Sequence, residues 1–185
     1  MQGTNLSVDA STFTGKLTVV AEAGNNTITG GSAVDTLNGA AGQDTLAGGG
    51  GNDIFIFADN ESTTAATDTI TDFGLNGDKI RLVSTDNVAG ASATAGTTAT
   101  NNVEVATGGK ISFATADDTL AEKITAVRAD TTDLAANEVG FFEHGSDTYI
   151  YNSVGGTDDL IKLTGITGAT TLTESTSTAG DFTLA

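Results

Sequence analysis

The sequence predicts an all-β-dominated fold in which a parallel β-roll is followed by a β-rich C-terminal cap with one short α-helix. Four nine-residue units stand in register from Ala21 to Ile56, each with one apolar and one acidic or amide position. A fixed short period of this kind is typical of a solenoid. The chain also has 24 Gly and no Pro, a composition that suits short strands joined by tight glycine turns.

The segment before the repeats predicts one or two strands. In NLSVDASTFTGKLTVV, the residues Leu6, Val8, Leu17 and Val19 alternate with polar residues, as on a half-buried strand. The repeats then read AEAGNNTIT, GGSAVDTLN, GAAGQDTLA and GGGGNDIFI. Their eighth positions are apolar and are expected in the core: Ile28, Leu37, Leu46 and Phe55.

The residues after the repeats predict further strands. DTITDFGLNGDKIRL, from Asp68 to Leu82, indicates paired strands that leave the repeat stack around a Gly77–Asp78 turn. The small, polar stretch from Asn87 to Asn102 is expected to be a mobile loop. We therefore divide the chain into residues 1–83, the lead-in and roll, and residues 84–185, the cap.

The cap contains one predicted helix near residues 118–129. Leu120, Ile124 and Val127 share one face, and Thr119 with Glu122 can form a capping box. A hairpin is expected in EVGFFEHGSDTYIYNS, followed by a turn at VGGTDD and a strand in LIKLTGI. We expect the helix and the hairpin, which turns at Gly145–Ser146, to cover the end of the roll over three aromatic residues: Phe55, Phe57 and Phe73.

The charge of the chain points to a cation as its partner. It has 24 acidic and 7 basic residues, a formal net charge of −17, which excludes nucleic acid and anionic membrane surfaces as favourable partners. With no Cys and a single His, zinc sites of the usual kind are excluded. A bound metal would be a hard ion held by oxygen, such as calcium or magnesium. The sequence has no stretch of about 18 apolar residues, so membrane insertion is not expected.

The nine-residue units fit G-G-x-G-x-D-x-U-x, which is the established calcium-binding repeat of RTX proteins. The chain resembles the C-terminal region of RTX proteins that bacterial type I systems secrete, and DTITDFGLNGDKIRL looks like the segment after their β-roll. DLIKLTGIT and the terminal DFTLA are similar to the uncleaved secretion signals of that family. The opening LSVDASTFTGKLTVV resembles modules of bacterial surface-layer and other large cell-surface proteins.

The resemblance implies two or more calcium ions held between turns that stack eighteen residues apart. Asp35 would share an ion with Asp53, and Asn26 with Asp44, whose next partner is expected between Asp59 and Glu61. The resemblance also implies backbone carbonyl ligands near Gly30, Gly31, Ser32, Ala33, Gly39, Ala41, Gly48, Gly49, Gly50 and Gly51. Asp68, Asp72 and Asp78 either hold a further ion or are ordinary acids at strand ends.

Departures from the repeat pattern rank these sites. Only GGGGNDIFI matches in full, whereas Glu22, Asn26, Ala33 and Ala40 replace pattern residues. We expect the Asp35/Asp53 site to be the strongest and the Asn26/Asp44 site to be weaker by one formal charge. The alternative interpretation of the repeats is a flexible linker rich in Gly and Asp.

The function predicted from these features is noncatalytic. We expect an extracellular calcium-binding module that folds on calcium after export, as the C-terminal part of a surface-layer protein, with the type I secretion machinery and copies of itself as partners. The alternatives are the C-terminal module of a secreted RTX enzyme, either a protease or a polysaccharide-modifying enzyme, or an adhesin. His144 lies beside Glu143 and Asp147, but neither H-E-x-x-H nor G-x-S-x-G occurs, so we expect His144 to be a solvated turn residue.

Overall fold

The computed structural model describes residues 4–75, 77–83, 87–88, 103–106, 108–113, 119–129, 138–153, 158–175 and 180–185. The first half of the fold contains short strands with a regular spacing. They are β1 (Ser7–Asp9), β2 (Thr18–Val20), β3 (Thr27–Thr29), β4 (Thr36–Asn38), β5 (Thr45–Ala47), β6 (Ile54–Phe57), β7 (Asp68–Ile70) and β8 (Lys79–Leu82).

These eight strands form a parallel β-roll of four coils. The odd-numbered strands pair in one sheet in the order β1-β3-β5-β7, and the even-numbered strands pair in a second sheet in the order β2-β4-β6-β8. Ile28, Leu37, Leu46 and Phe55 are fully buried between the two sheets. The predicted fold class and the apolar eighth position are therefore confirmed.

The roll begins earlier and ends later than the nine-residue repeats. The lead-in supplies both strands of the first coil, with β1 parallel to β3 and β2 parallel to β4. The prediction for Asp68 to Leu82 was wrong: β7 and β8 do not pair with each other, because β7 stacks on β5 and β8 on β6. The segment is a fourth coil of the roll, so it does not leave the stack.

The cap continues both sheets of the roll. Its elements are β9 (Asn87–Val88), β10 (Val103–Val105), β11 (Ile111–Phe113), α1 (Leu120–Ala129), β12 (Glu138–His144), β13 (Asp147–Asn152), β14 (Asp159–Leu163), β15 (Leu172–Glu174) and β16 (Asp181–Leu184). One sheet runs on from β7 as β14-β13-β12-β9, and the other from β8 as β16-β15. Strands from both halves contribute to one hydrophobic core. The domain boundary near residue 83 stays a prediction.

The hairpin of β12 and β13 has two buried faces. Phe141 and Ile150 lie in the core that also contains Phe55, Phe57 and Phe73, so this part of the predicted cap is confirmed. Phe142, Tyr149 and Tyr151 lie in a second cluster together with Val127 of α1. The helix therefore covers the outer face of the sheet, and its predicted contact with the three roll phenylalanines was wrong.

Side-chain bonds fix the position of α1. Glu122 Oε2 accepts the N–H of Thr119 at 3.0 Å, and Thr119 Oγ1 accepts the N–H of Glu122 at 3.2 Å, which confirms the capping box. At the other end, Arg128 Nε donates to Asp158 Oδ2 at 2.7 Å and its Nη2 donates to Thr64 Oγ1 at 2.8 Å. These bonds connect the helix to the residue before β14 and to the loop after β6. None of the helices in the described ranges is long and apolar enough to span a membrane.

Two predicted loops fall largely on residues that the structure does not describe. The predicted mobile loop begins instead with a strand, since Asn87 and Val88 form β9 and pair with β12, and residues 89–102 lie outside the described ranges. The same holds for residues 154–157 of the predicted VGGTDD turn and for residue 118 at the start of the predicted helix.

Candidate calcium-binding site

Three side chains form a hydrogen-bonded ladder along one side of the roll. Asn26 Oδ1 accepts the N–H of Leu6 at 2.8 Å, Asp44 Oδ1 accepts the N–H of Asn26 at 2.6 Å, and Asp68 Oδ1 accepts the N–H of Asp44 at 2.7 Å. Each acceptor comes from the next coil, so one side chain ties two turns together. We call this set, Asn26, Asp44 and Asp68, the first ladder.

A second ladder, Asp35, Asp53 and Asp78, lies along the opposite side of the roll. Asp35 Oδ1 accepts the N–H of Leu17 at 2.7 Å, Asp53 Oδ1 accepts that of Asp35 at 2.7 Å, and Asp78 Oδ1 accepts that of Asp53 at 2.8 Å. All six ladder side chains are buried. The predicted proximity of Asp35 to Asp53 and of Asn26 to Asp44 is therefore present, and their binding of an ion remains a proposal.

The ladder aspartates differ in whether their second carboxylate oxygen, Oδ2, has a hydrogen-bond partner. Asp35 Oδ2 accepts the N–H of Gly31 at 2.6 Å, and Asp78 Oδ2 accepts that of Gly74 at 2.7 Å. Asp44 Oδ2, Asp53 Oδ2 and Asp68 Oδ2 are buried with no hydrogen-bond partner. A buried anionic oxygen without a partner is costly, and a hard cation would compensate it. The donor set of these turns therefore fits calcium.

The pKa values show the same electrostatic strain. Burial raises the pKa of Asp68 to about 8 and that of Asp53 to about 6, with neighbouring carboxylates adding to both shifts. Burial is also the main cause of the raised pKa of Asp44 and of Asp78. Each of these groups resists ionisation as long as no positive charge lies beside it. A divalent ion in the turns would favour the ionised forms.

Asp68, and not Asp59, follows Asp44 in the first ladder, so the predicted partner between Asp59 and Glu61 was wrong. The loop after β6 places Asp68 24 residues after Asp44, and Asp59 is exposed in that loop. Glu61 lies nearer the ladder, because its charge contributes to the raised pKa of both Asp44 and Asp68.

Asp72 lies at a turn of the roll rather than in a ladder. Its Oδ1 accepts the N–H of Gly48 at 2.9 Å, and its Oδ2 accepts that of Gly49 at 2.8 Å. Its charge also contributes to the raised pKa of Asp53 and of Asp78. Both oxygens of Asp72 thus have backbone donors, whereas Asp53 Oδ2 has none.

Glycine at the first position of the last three units leaves room for the carboxylate. A Cβ built on Gly39 would lie 2.6 Å from Asp44 Cγ, one on Gly48 would lie 2.8 Å from Asp53 Cγ, and one on Gly30 would lie 2.6 Å from Asp35 Oδ2. Real Cβ atoms do not approach this closely. A larger residue at these positions would displace the carboxylates from the turns.

Backbone carbonyls of one turn also lie close against the glycines of the turn stacked on it. A Cβ on Gly30 would contact the Gly48 carbonyl oxygen, and one on Gly49 would contact that of Gly31. Gly51 lies against the Ala33 carbonyl, Gly50 against Ser32, and Ala41 accepts the N–H of Gly24 at 2.8 Å. In the described part of the chain no three acidic or His side chains are arranged to hold a metal. An ion would therefore need these carbonyls as well as the carboxylates.

The two Ala departures differ in their structural cost. Ala33 is not in the left-handed region, whereas Ala40 has a φ of 60° and carries the strain of that conformation, about 1–2 kcal/mol for a residue with a Cβ. Gly49 occupies the equivalent position of the last unit with a φ of 87°. The Ala40 departure is therefore the one that weakens its turn.

Ala40→Gly is expected to stabilise the protein by about 0.5–1 kcal/mol. It removes the left-handed strain of about 1–2 kcal/mol at an entropic cost of about 0.4–1 kcal/mol in the unfolded chain. Chemical denaturation in calcium measures the change. Ala33→Gly is the matched control. It carries the same entropic cost in the unfolded chain but relieves no backbone strain, so it should destabilise the protein. Equal effects of the two substitutions would contradict the assignment of strain to Ala40.

A comparison with known protein families identifies the same repeats that form the turns. Residues 18–56 match the RTX calcium-binding nonapeptide repeat in four copies. The chain carries RTX calcium-binding repeats. Calcium is therefore its cofactor, and four repeats imply several ions. The matched segment covers β2 to β6, and the ladders extend it by one coil to Asp68 and Asp78.

No curated protein matches the chain. Among solved structures, it is similar to the AlgE6R2 subunit of the mannuronan C5-epimerase from Azotobacter vinelandii, determined in solution. The two share 20% sequence identity over 86% of this chain and 81% of the other, with a TM-score of 0.40.

His144 lies at the end of β12, next to the hairpin turn. Its ring contacts Tyr149 edge-on with centroids 6.5 Å apart. Glu143 Oε1 accepts the N–H of Gly168 at 2.7 Å, and Asp147 forms an ion pair with Lys162 at 2.9 Å. The two acids beside His144 therefore have structural partners.

Proposed function

We propose that the chain is a noncatalytic extracellular module that folds when it binds calcium after type I secretion, and that it forms the C-terminal part of a bacterial surface-layer protein. The observation that carries the calcium-dependent step is the pair of ladders with three buried, unpartnered carboxylate oxygens. A chain of net charge −17 repels itself on compaction. Calcium removes this penalty in the folded state alone.

The free energy that calcium binding adds to the folded state is large enough to control folding. Extracellular calcium modules have dissociation constants of about 10⁻⁴ to 10⁻³ M, and one such site at tenfold excess of calcium adds about 1.4 kcal/mol to stability. Two or three sites together add about 2.8–4.2 kcal/mol, which is a large part of the stability of a domain near the lower end of the usual range of about 5–15 kcal/mol. The chain would stay unfolded at low calcium inside the cell and fold outside it.

The segments that resemble secretion signals are buried in the folded state. DLIKLTGIT includes β14, whose Leu160, Ile161 and Leu163 are buried, and the terminal DFTLA includes β16, with Phe182 and Leu184 buried. The side chain of Arg81 also pairs with Asp181 at the start of β16. An export system could bind these segments only while the chain is unfolded, which is consistent with calcium acting after transport.

The open end of the roll supports association with further copies. In the described part of the chain, β1 and β2 are terminal in their sheets, and three hydrophobic side chains near them are exposed: Leu6, Phe13 and Val20. An unpaired strand edge with apolar neighbours favours addition of another strand. A surface lattice could use this edge.

The proposed assembly is tested by adding calcium to metal-free protein and following light scattering and negative-stain electron microscopy. We expect ordered sheets with calcium and none with magnesium. Val20→Lys on β2 should block assembly, whereas Val83→Lys, at another exposed valine, should not. A folded monomer in calcium at high concentration would contradict the lattice. The gene sequence upstream of Met1 would then decide between a secreted enzyme and an adhesin as the parent protein.

A further inference from the structure

Asn26 holds the place in the first ladder that an aspartate holds in the other repeats. Its side chain is 1% exposed. Its Oδ1 accepts the N–H of Leu6, and its own N–H donates to Asp44 Oδ1. The amide oxygen thus does the structural work of an aspartate Oδ1. What differs is the second atom of the group, which is a nitrogen that donates.

That nitrogen lies among three backbone carbonyl oxygens. Asn26 Nδ2 is 2.9 Å from the Glu22 oxygen, 3.1 Å from the Gly24 oxygen and 2.8 Å from the Gly39 oxygen. Glu22 and Gly24 are the second and fourth residues of the same repeat, and Gly39 is the first residue of the repeat one coil later. Carbonyl oxygens that converge in this way need a positive partner.

The same three positions recur around Asp35. They are occupied there by Gly31, Ala33 and Gly48. The Gly48 carbonyl oxygen and Asp35 Oδ2 both lie beside Gly30, and the Gly31 and Ala33 carbonyl oxygens lie against Gly49 and Gly51 of the turn stacked one coil later. An aspartate cannot donate a hydrogen bond to these carbonyls when it is ionised. Its second oxygen accepts instead, as Asp35 Oδ2 does from the N–H of Gly31 at 2.6 Å, and only a cation could link that oxygen to the carbonyl oxygens. Asn26 supplies the positive end of an N–H dipole itself.

We propose that the Asn26 amide takes the place of a calcium ion, so that the first turn of the roll closes without metal. This inference rests on the proposed calcium binding of the other ladder residues. The sequence-based prediction of a weaker ion between Asn26 and Asp44 is replaced by a turn with no ion. The first ladder then binds calcium only toward its other end, where Asp44 Oδ2 and Asp68 Oδ2 have no partner.

A first turn that closes without metal can form before the turns that need calcium. Its hydrogen bonds connect the coil of β3 and β4 to the preceding coil through Leu6 and to the following coil through Gly39 before any ion is bound. Folding of a repeat structure can nucleate at any unit and then propagate to its neighbours, and this turn can form without metal. The Asn26 turn is therefore a starting point on which the calcium turns assemble.

Asn26→Asp tests the proposal, with Asn25→Asp as the matched control. Asn25 is exposed and adjacent, so the substitution adds the same charge on a side chain that faces solvent, and an aspartate there can still accept the N–H of Gln43. At saturating calcium, where the chain is folded, native mass spectrometry or flow dialysis counts the ions per chain. We expect Asn26→Asp to bind one more calcium ion than the wild type, and Asn25→Asp to bind the wild-type number.

A calcium titration of folding gives the second readout. Asn26→Asp should need more calcium to fold and should melt lower than wild type by about 2–4 °C or more near the midpoint, with the deficit removed at saturating calcium. An unchanged ion count in a wild type that binds calcium would overturn the proposal alone. A wild type that binds no calcium would overturn the proposed function itself. Equal midpoints for the Asn26 and Asn25 variants would also contradict the proposal.

Discussion

Asp53→Ala is expected to destabilise the folded protein in calcium by about 2–4 kcal/mol. The substitution leaves the buried N–H of Asp35 without its acceptor, at a cost of about 1–3 kcal/mol. It also removes a carboxylate from a site worth about 1.4 kcal/mol at tenfold excess of calcium. Both losses act in the middle of the second ladder, where two coils depend on one side chain.

Denaturant unfolding at fixed calcium measures this loss, and Asp59→Ala is the matched control. Asp59 is an exposed acid in the loop after β6, so its removal changes the charge by the same amount and should leave stability within about 0.5 kcal/mol. Asp53→Asn should fall between the two, since it keeps an acceptor for the Asp35 N–H. If Asp59→Ala is as harmful as Asp53→Ala, net charge and not the ladder governs stability.

Metal-free protein is expected to lose stability as the pH rises from about 4 to 8, and calcium should reverse this trend. The folded-state pKa of Asp68 is raised to about 8 and that of Asp53 to about 6, both above the unfolded value of 3.8. The folded state therefore holds protons that the unfolded state has released. Stability from this source is complete below pH 3.8 and is lost as the pH rises through the folded pKa values.

Melting curves of metal-stripped protein at pH 5 and pH 8, with and without calcium, measure the two trends. Without calcium, a melting transition should be present at pH 5, where the buried carboxylates hold protons, and should be several degrees lower or lost at pH 8, where the metal-free chain is expected to be unfolded. With calcium, it should be higher at pH 8, because the ion binds the ionised carboxylates. Asp68→Asn should weaken the pH dependence without calcium, whereas Asp59→Asn should not. A metal-free protein that melts higher at pH 8 than at pH 5 would contradict the assigned shifts.

The period of nine residues predicted the central part of the roll well. Four apolar residues recur at the eighth position, and all four are buried between the sheets. The proximity of Asp35 to Asp53 also follows from the spacing, because two units make one coil. These features depend on local pattern alone, which is why a single sequence is enough to predict them.

The last coil was missed because its spacing is irregular. Asp68 follows Asp44 after 24 residues and Asp78 follows Asp53 after 25, in place of 18. A signal was present: Asp68-Thr69-Ile70 repeats the Asp-Thr-Leu of Asp35 to Leu37 and of Asp44 to Leu46. The inserted loops hid this similarity, since a fixed-period reading has no place for them.

Tertiary contacts account for the other errors. The helix has a suitable apolar face, but its sequence does not say which of two hydrophobic surfaces it covers. The hairpin of β12 and β13 carries large apolar residues on both faces. Val127 of α1 packs with Phe142 and Tyr149 on the outer face of the hairpin. Similarly, the Asn26 amide donates a hydrogen bond to the carbonyl of Gly39, thirteen residues away. This contact depends on how the coils stack.

Calcium-dependent folding is tested most directly by far-ultraviolet circular dichroism of metal-stripped protein during titration with calcium or magnesium. We predict a gain of β signal and of melting temperature at millimolar calcium, with no such gain in magnesium at the same concentration. Addition of chelator should reverse both changes. The same β signal and melting temperature in chelator as in calcium would show that the buried carboxylates need no ion and would contradict the calcium-dependent fold.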